Sequence, residues 1–258
     1  MIRLISHRAK KSLGQNFLVD KNIRTKIINA ADLKKSDSVL EVGPGQGFLT
    51  EELAKLSNKI VAVEKDKKLF YLLEYKYPGV KMVHDDILRL DFAELKKLLN
   101  NKPYKVVANL PYNITSKFLR RFLESDYAPE QMIVMVQREV AERLTAKPPE
   151  MSLLAVAVQF YSKPKILFKV SNTCFVPKPK IESAVISLEN IKPQFKADPA
   201  RFFQVTKLGF SQKRKQLKNV LSKFTNISEA LVEIGLSPSI RAQELTVNDW
   251  VNLVNKLN

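Results

Sequence analysis

A single cysteine, Cys174, stands in 258 residues. An intramolecular disulfide is therefore impossible, a Cys-based zinc site is excluded, and a reducing compartment is expected. Histidine is almost as scarce. His7 and His84 are the only two, far apart in sequence, which argues against a His-centred metal cluster or a Ser-His-Asp triad. No apolar run approaches the ~20 residues that span a bilayer. The leader carries Arg3, Arg8, Lys10 and Lys11 without the apolar core of a signal peptide. No metal and no membrane are expected, and the expected location is the cytoplasm. Acid is the other shortage: 26 Asp+Glu against 43 Lys+Arg leave a formal charge of +17. Such a field attracts polyanions, and RNA or DNA is the commonest polyanion that a folded protein answers.

What is present in quantity is ordinary. With 45% hydrophobic and 27% charged residues, the chain can bury one large core, or an average domain plus a smaller one. Short apolar runs at 39–42, 60–63, 80–83, 105–108 and 132–136 read as strands, each followed by helical spacing. Such alternation implies a mostly parallel sheet covered by helices on both faces, with ligands bound beyond the carboxyl ends of the strands. Residues 151–161 read as a buried helix, and 165–170 and 183–188 as two further strands. Past Ile191-Lys192-Pro193 the segments 199–210, 216–224, 228–234 and 244–257 have only helical periodicity. The expected organisation is an α/β domain over 1–190 and a small helical domain over 191–258.

Four features at the ends of these strands carry chemistry. The first strand runs into Glu41-Val42-Gly43-Pro44-Gly45-Gln46-Gly47. Its spacing is G-x-G-x-G, and Phe48 stands where a dinucleotide fingerprint has its third glycine. This favours a nucleoside ligand without a pyrophosphate, although the loop alone leaves an NAD site or a plain tight turn open. Glu64 closes the second strand, where a carboxylate can accept from both hydroxyls of a ribose. Asp86 closes the third βα unit, where it can accept from an adenine amino group. Either alone is an ordinary solvated carboxylate. The fourth strand ends in Asn109-Leu110-Pro111-Tyr112-Asn113. An exocyclic amine is a poor nucleophile because its lone pair is delocalised. The Asn side-chain oxygen and the carbonyl before Pro can hold its N–H groups, and Tyr112 offers a flat face to the ring. The alternative is a βα turn in which Asn109 caps the next helix and Pro111 stops the strand. The four features in this order support a class I (Rossmann-like) methyltransferase that uses S-adenosylmethionine.

At this point the chain resembles the KsgA/Dim family of small-subunit rRNA adenine N6,N6-dimethyltransferases, over nearly its whole length. The leader Lys11-Ser12-Leu13-Gly14-Gln15-Asn16-Phe17-Leu18 is similar to the family's N-terminal cofactor motif. Phe175-Val176-Pro177-Lys178-Pro179-Lys180-Ile181-Glu182-Ser183 resembles its F-x-P-x-P segment, and Phe210–Asn219 its basic C-terminal signature. The resemblance implies S-adenosylmethionine-dependent dimethylation of N6 on two adjacent adenosines in a hairpin near the 3′ end of small-subunit rRNA, during ribosome assembly and by a monomer. It places Asn16, Leu18, Gly43, Gly45, Gly47, Glu64, Asp86 and Asn109 around the cofactor, and Asn109, Tyr112 and Phe175 around the target adenine. Phe175 also has the reading of a core aromatic. Two positions depart from the family: Asp85, where Gly is usual, and Gln243, where an acid is usual.

An adenine N6 is out of reach inside a helix, so the base must be extruded and held between flat groups. Basic residues stand where RNA would need them. Residues 163–180 hold five lysines, Lys178 and Lys180 among them, and no acid; 207–223 hold six Lys/Arg, including Lys213, Arg214, Lys215 and Lys218, and no acid. Each run alone reads equally as a solvated face. The rival readings are a resistance-type methylase of large-subunit rRNA, and an RNA-binding assembly or transcription factor that keeps the fold without the reaction.

Overall fold

The structure, a computed structural model, describes residues 9–257. Arg3, His7 and Arg8 of the basic leader lie outside them. The chain opens with a short ribbon strand β1 (Phe17–Leu18) and helix α1 (Lys21–Ala31). It then alternates: β2 (Ser38–Val42), α2 (Thr50–Leu56), β3 (Lys59–Glu64), α3 (Lys67–Lys76), β4 (Lys81–His84), α4 (Phe92–Leu98), β5 (Tyr104–Asn109), α5 (Thr115–Leu123), β6 (Gln131–Gln137) and α6 (Arg138–Leu144). There follow α7 (Leu153–Tyr161), β7 (Lys163–Val170), β8 (Phe175–Val176) and β9 (Ser183–Glu189). Four helices close the chain: α8 (Pro199–Gly209), α9 (Leu217–Val220), α10 (Ile227–Glu233) and α11 (Val247–Lys256).

Seven strands form one sheet in the order β4-β3-β2-β5-β6-β9-β7. The pairs among β4, β3, β2, β5 and β6 are parallel, and β9 runs antiparallel to β6 from Gln131↔Glu189 to Gln137↔Ser183. Strands β2, β3, β5 and β6, buried along most of their length, read as Val/Ile/Leu-rich runs, whereas the edge strand β4 exposes Lys81 and His84 and was legible from Val80, Met82 and Val83. Each begins or ends within two residues of its expected bounds. The carboxyl ends of β4, β3, β2 and β5 lie side by side, so the loops that carry chemistry share one edge.

The chain folds as two compact units, one of residues up to Ala141 with Lys165–Ile191, the other of Glu142–Pro164 with Lys192 onward. The expected division near residue 190 differs from this, because it leaves 142–164 with the sheet. Helix α7 is apolar on almost every side and packs in the second unit, where Phe160 stacks on Phe202 at 4.3 Å between ring centroids. Periodicity marks such a helix as buried but does not say against what.

Two expected helices are shorter than their patterns. Over 216–224 only Leu217–Val220 is helical, although Leu217, Val220 and Leu221 are buried at helical spacing. Helix α11 starts at Val247 because Thr246 caps it: its hydroxyl accepts from Asp249 N–H at 3.1 Å while Asp249 accepts from Thr246 N–H at 2.9 Å. The β1–β8 ribbon was not visible in the sequence, since two residues per strand show no period. In it Phe17 opposes Val176 and Leu18 opposes Phe175, antiparallel.

Candidate active site

A cleft of about 1100 Å³, open solvent at its mouth included, lies at the shared strand edge of the first unit. The leader 12–18, the loop after β2, the ends of β3 and β5, and Asp85–Ile87 line it. Of the expected site residues, Asn16, Leu18, Gly43, Gly45, Glu64, Asp86, Asn109 and Tyr112 all reach this wall.

Glu64 is 5% exposed and ties two segments together. One carboxylate oxygen accepts the Gly45 N–H at 3.1 Å, the other the Asp66 N–H at 2.8 Å. A carboxylate has about four acceptor positions, so each oxygen retains capacity for a ligand hydroxyl. Burial raises its pKa, and the Asp66 charge adds to the rise, against backbone hydrogen bonds from Asp66, Gly45 and Lys65. Gly45 has φ +60° and a Cβ there would sit 3.1 Å from the Phe17 ring, so only glycine leaves the leader this close to the loop.

Gly47 requires a correction. Its would-be Cβ meets Leu73 at 2.7 Å and Tyr77 at 2.8 Å, so this glycine lets α3 pack against the loop and does not line the cleft. Asp86 does line it. Burial pushes the Asp86 carboxyl up, but Lys65 Nζ at 2.8 Å, the Leu88 amide and nearby positive charge bring it below the usual range. Asp85, the departure from the family, accepts the Asp86 N–H at 2.6 Å, so its carboxylate closes the turn that glycine usually makes.

Asn109 ends β5 and donates from its side-chain nitrogen to the Asn16 carbonyl at 3.1 Å. With the amide so assigned, the leader turns the Asn109 oxygen free of that bond. Tyr112 shares a 2.6 Å hydrogen bond with Ser183, the first residue of β9. Burial raises the Tyr112 pKa, offset in part by Ser183. The last residue of the F-x-P-x-P segment therefore positions the tyrosine of the Asn-Leu-Pro-Tyr run.

Phe175 is the second correction. It is 2% exposed and packs with Leu18, Ile27, Ile28 and Val170 in the core, not on the cleft wall. Neighbouring residues of a strand face opposite ways. Phe175 turns inward behind Leu18, and Val176 turns outward, 59% exposed. The residue braces β1 from behind.

Sequence reading missed Glu41, Thr50, Phe17, Lys65, Asp66 and Ser183. Glu41 had a signal: a carboxylate inside the apolar strand Val39–Val42 is rarely buried without purpose. It is 1% exposed, lines the cleft and accepts the Thr50 hydroxyl at 2.7 Å. Burial, with help from the Glu64 charge and against the Thr50 bond, pushes its pKa up to about 8. The basic residues divide between units. Lys178 and Lys180 are exposed in the first; Lys213, Arg214 and Lys215 are exposed and Lys218 half-buried in the second. Among the described residues no group of three or more His/Cys/Asp/Glu could hold a metal, and no helix is long and apolar enough to cross a membrane.

With this geometry in view, comparison with known proteins is decisive. Residues 6–258 match the family described as ribosomal RNA adenine dimethylase. The chain belongs to the ribosomal RNA adenine dimethylase family. It is similar to ribosomal RNA small subunit methyltransferase A of Dehalococcoides mccartyi strain BAV1, 41% identical over 95% of this chain and 87% of the relative. The protein of the same name from Caldanaerobacter subterraneus subsp. tengcongensis is 41% identical, with 97% of each chain covered. Among solved structures, the 23S rRNA methyltransferase ErmE superposes with a TM-score of 0.76 at 26% identity over 94% of this chain and 99% of its own. A Plasmodium falciparum dimethyladenosine transferase superposes at 0.78 over 92% and 95%, at 23% identity, a likeness of fold. As a ribosomal RNA adenine dimethylase the chain is an S-adenosylmethionine-dependent rRNA methyltransferase with a class I fold. The cleft suits that cofactor: Glu64 retains acceptor positions, and Glu41 and Glu64 are buried carboxylates with no ion-pair partner among the described residues.

The buried carboxylates make stability depend on pH. An acid whose pKa is raised from 4.5 to about 8 binds its proton more tightly when folded, so stability is full below about 4.5 and falls as pH rises toward 8. Glu64 shifts in the same direction. The lowered Asp37, Asp66 and Asp86 act below their ordinary value of 3.8, outside that window. Urea unfolding of the cofactor-free protein between pH 5 and 8 should show the decline, and Glu41→Gln should flatten it; an equal slope in the variant would mean Glu41 is ionised throughout. Phe175→Ala should cost about 3–5 kcal/mol of unfolding free energy, the range for emptying a buried aromatic site. Full stability together with weakened RNA binding would restore Phe175 to the adenine clamp.

Proposed function

We propose that this enzyme dimethylates N6 of two adjacent adenosines in a hairpin near the 3′ end of small-subunit rRNA, acting in the cytoplasm as a monomer on an assembling subunit. The observation that carries the reading is Asn109 and Tyr112 at the end of β5, opening into the same cleft as Gly43, Gly45, Glu64 and Asp86. The names of relatives 41% identical over almost the whole chain support the small-subunit target. The likeness to ErmE, at 26%, supports the shared catalytic core and does not favour large-subunit rRNA.

Bound in the cleft, S-adenosylmethionine supplies an electrophilic methyl group on a sulfonium sulfur. Glu64 is assigned to the ribose hydroxyls and Asp86 to the adenine amine of the cofactor, with Asn16, Leu18, Gly43 and Gly45 forming the wall. Asn109 Oδ1 and the Leu110 carbonyl accept the two N–H groups of the target amine. Their pull would localise the nitrogen lone pair toward the methyl carbon; as the N–C bond forms the S–CH3 bond would break, its electron pair staying on sulfur to leave a neutral thioether, and one N6 proton would pass to water. Tyr112, braced by Ser183, stacks on the extruded base. No side chain has to titrate, so positioning supplies most of the acceleration. Lys178, Lys180, Lys213, Arg214, Lys215 and Lys218 are assigned to phosphates, the last four making the second unit an RNA-binding domain.

Asn109→Ala should slow single-turnover methyl transfer by roughly 10²-fold or more at saturating cofactor, as removal of a transition-state hydrogen bond does, while RNA docking survives. Mass spectrometry of the target adenines provides the readout. A wild-type rate would make the Asn-Leu-Pro-Tyr run a structural turn. Lys213→Ala/Arg214→Ala/Lys215→Ala should flatten the log–log salt dependence of RNA binding, by about 0.7 for each phosphate of a single strand no longer neutralised, and leave cofactor affinity unchanged. An unaltered slope would remove the second unit from the RNA interface.

A further inference from the structure

Six large hydrophobic residues are strongly exposed among the described residues, and the two aromatic ones lie together on α3: Tyr71 at 55% and Tyr75 at 75%. One exposed apolar residue is ordinary. Two tyrosines four residues apart share a helix face, and α3 does not need them for its anchorage. It buries Leu69 and Leu73 on its inner side. Neither tyrosine hydroxyl makes a hydrogen bond among the described residues.

The charges beside them complete a pattern. At about 100° per residue, Lys67, Tyr71, Tyr75 and Lys68 fall within one arc of about 100°. The ammonium of Lys67 lies 6.0 Å from the Tyr71 ring centroid, and Phe70 meets Tyr71 edge-on at 5.2 Å. Lys67 and Lys68 are exposed and enter no ion pair among the described residues. Glu74, the single acid of α3, stands on the Lys67 flank of the arc. Beyond it the edge strand β4 adds exposed Lys81 and His84.

We propose that this ridge of α3 is a docking surface for a single-stranded stretch of the rRNA substrate flanking the target adenosines. The inference rests on the function proposed above and extends the substrate's path. Every base has a π face, so exposed tyrosines accept successive bases without regard to sequence, and adjacent ammonium groups meet the phosphates. A protein partner would instead favour an apolar recess, and the tyrosines stand proud of the surface. Position agrees with the assignment. Lys67 follows Glu64 by three residues and Lys65 lines the cleft, so the ridge begins at the cleft rim. From Lys67 to Tyr75 it runs about 12 Å along the helix.

The test uses the full chain and two rRNA fragments, the target hairpin alone and the hairpin with its flanking single strands carrying 4-thiouridine. Photo-crosslinks from the flanks should map to Lys67–Lys76. Tyr71→Ser/Tyr75→Ser should weaken binding of the flanked fragment by at least about fivefold per stacked base, while Tyr71→Phe/Tyr75→Phe retains it. Affinity for the bare hairpin and for S-adenosylmethionine should be unchanged in both. Equal binding of the flanked fragment by wild type and the serine variant overturns the proposal, as does equal loss on the bare hairpin. A loss confined to protein-containing small-subunit particles, with the naked flanked fragment bound normally, also overturns it, because the ridge would then meet protein. A wild-type enzyme that leaves the target adenines unmethylated in such particles would sink the function itself, which the variants do not address.

Discussion

The site depends on one buried carboxylate. Glu64 takes the Gly45 N–H with one oxygen and the Asp66 N–H with the other, which joins the loop after β2 to the start of α3. Asp66, its side chain fully buried, in turn accepts from Lys10 Nζ at 2.9 Å and Gln15 at 3.2 Å and so holds the leader. The leader presents the Asn16 carbonyl to Asn109. A relay of hydrogen bonds thus runs from the proposed ribose acceptor to the proposed amine acceptor. Bonds to a charged group contribute about 1.5–3 kcal/mol each, and removing one partner of a buried set costs more than the bond itself.

Burying acid in a chain of such positive charge has a second effect. Glu41 and Glu64 are the buried carboxylates among the acids that line the cleft, and desolvation raises the pKa of both. A ligand carrying a sulfonium charge favours their ionised forms, and the neutral product left after methyl loss does so less. The excess of basic residues, 43 Lys+Arg against 26 Asp+Glu, is spread over the rest of the chain. Two charge scales coexist in one unit, one local and acidic, the other distributed and basic.

Much of this was legible in the chain itself. The G-x-G-x-G loop, Glu64, Asp86 and Asn109–Tyr112 each follow a short, largely apolar strand, and the richest of these runs mark a sheet buried on both faces. Parallel connection then forces their shared edge, so a cleft containing them follows from strand order. Asp20, Asp66, Asp91 and Asp198 each cap the helix that follows, a contact between near neighbours in the chain that the sequence analysis did not single out.

Only the tertiary structure decided what depends on distant packing. An aromatic at position 175 reads from sequence as a clamp, with core as the alternative, and its inward turn is set by the pairing of Leu18 with Phe175 across 157 residues. Gly47 reads as a ligand glycine until Leu73 and Tyr77 fill the space a Cβ would need. Helix α7 joins the second unit because its partners, such as Phe202, come later in the chain. Sequence periodicity specifies which face of an element is buried; it carries no information on what buries it, since hydrophobic attraction is not directional. Strand positions and loop chemistry were thus determined locally. The partners of Phe175, Gly47, Ser183 and Glu41 were determined only when remote segments met.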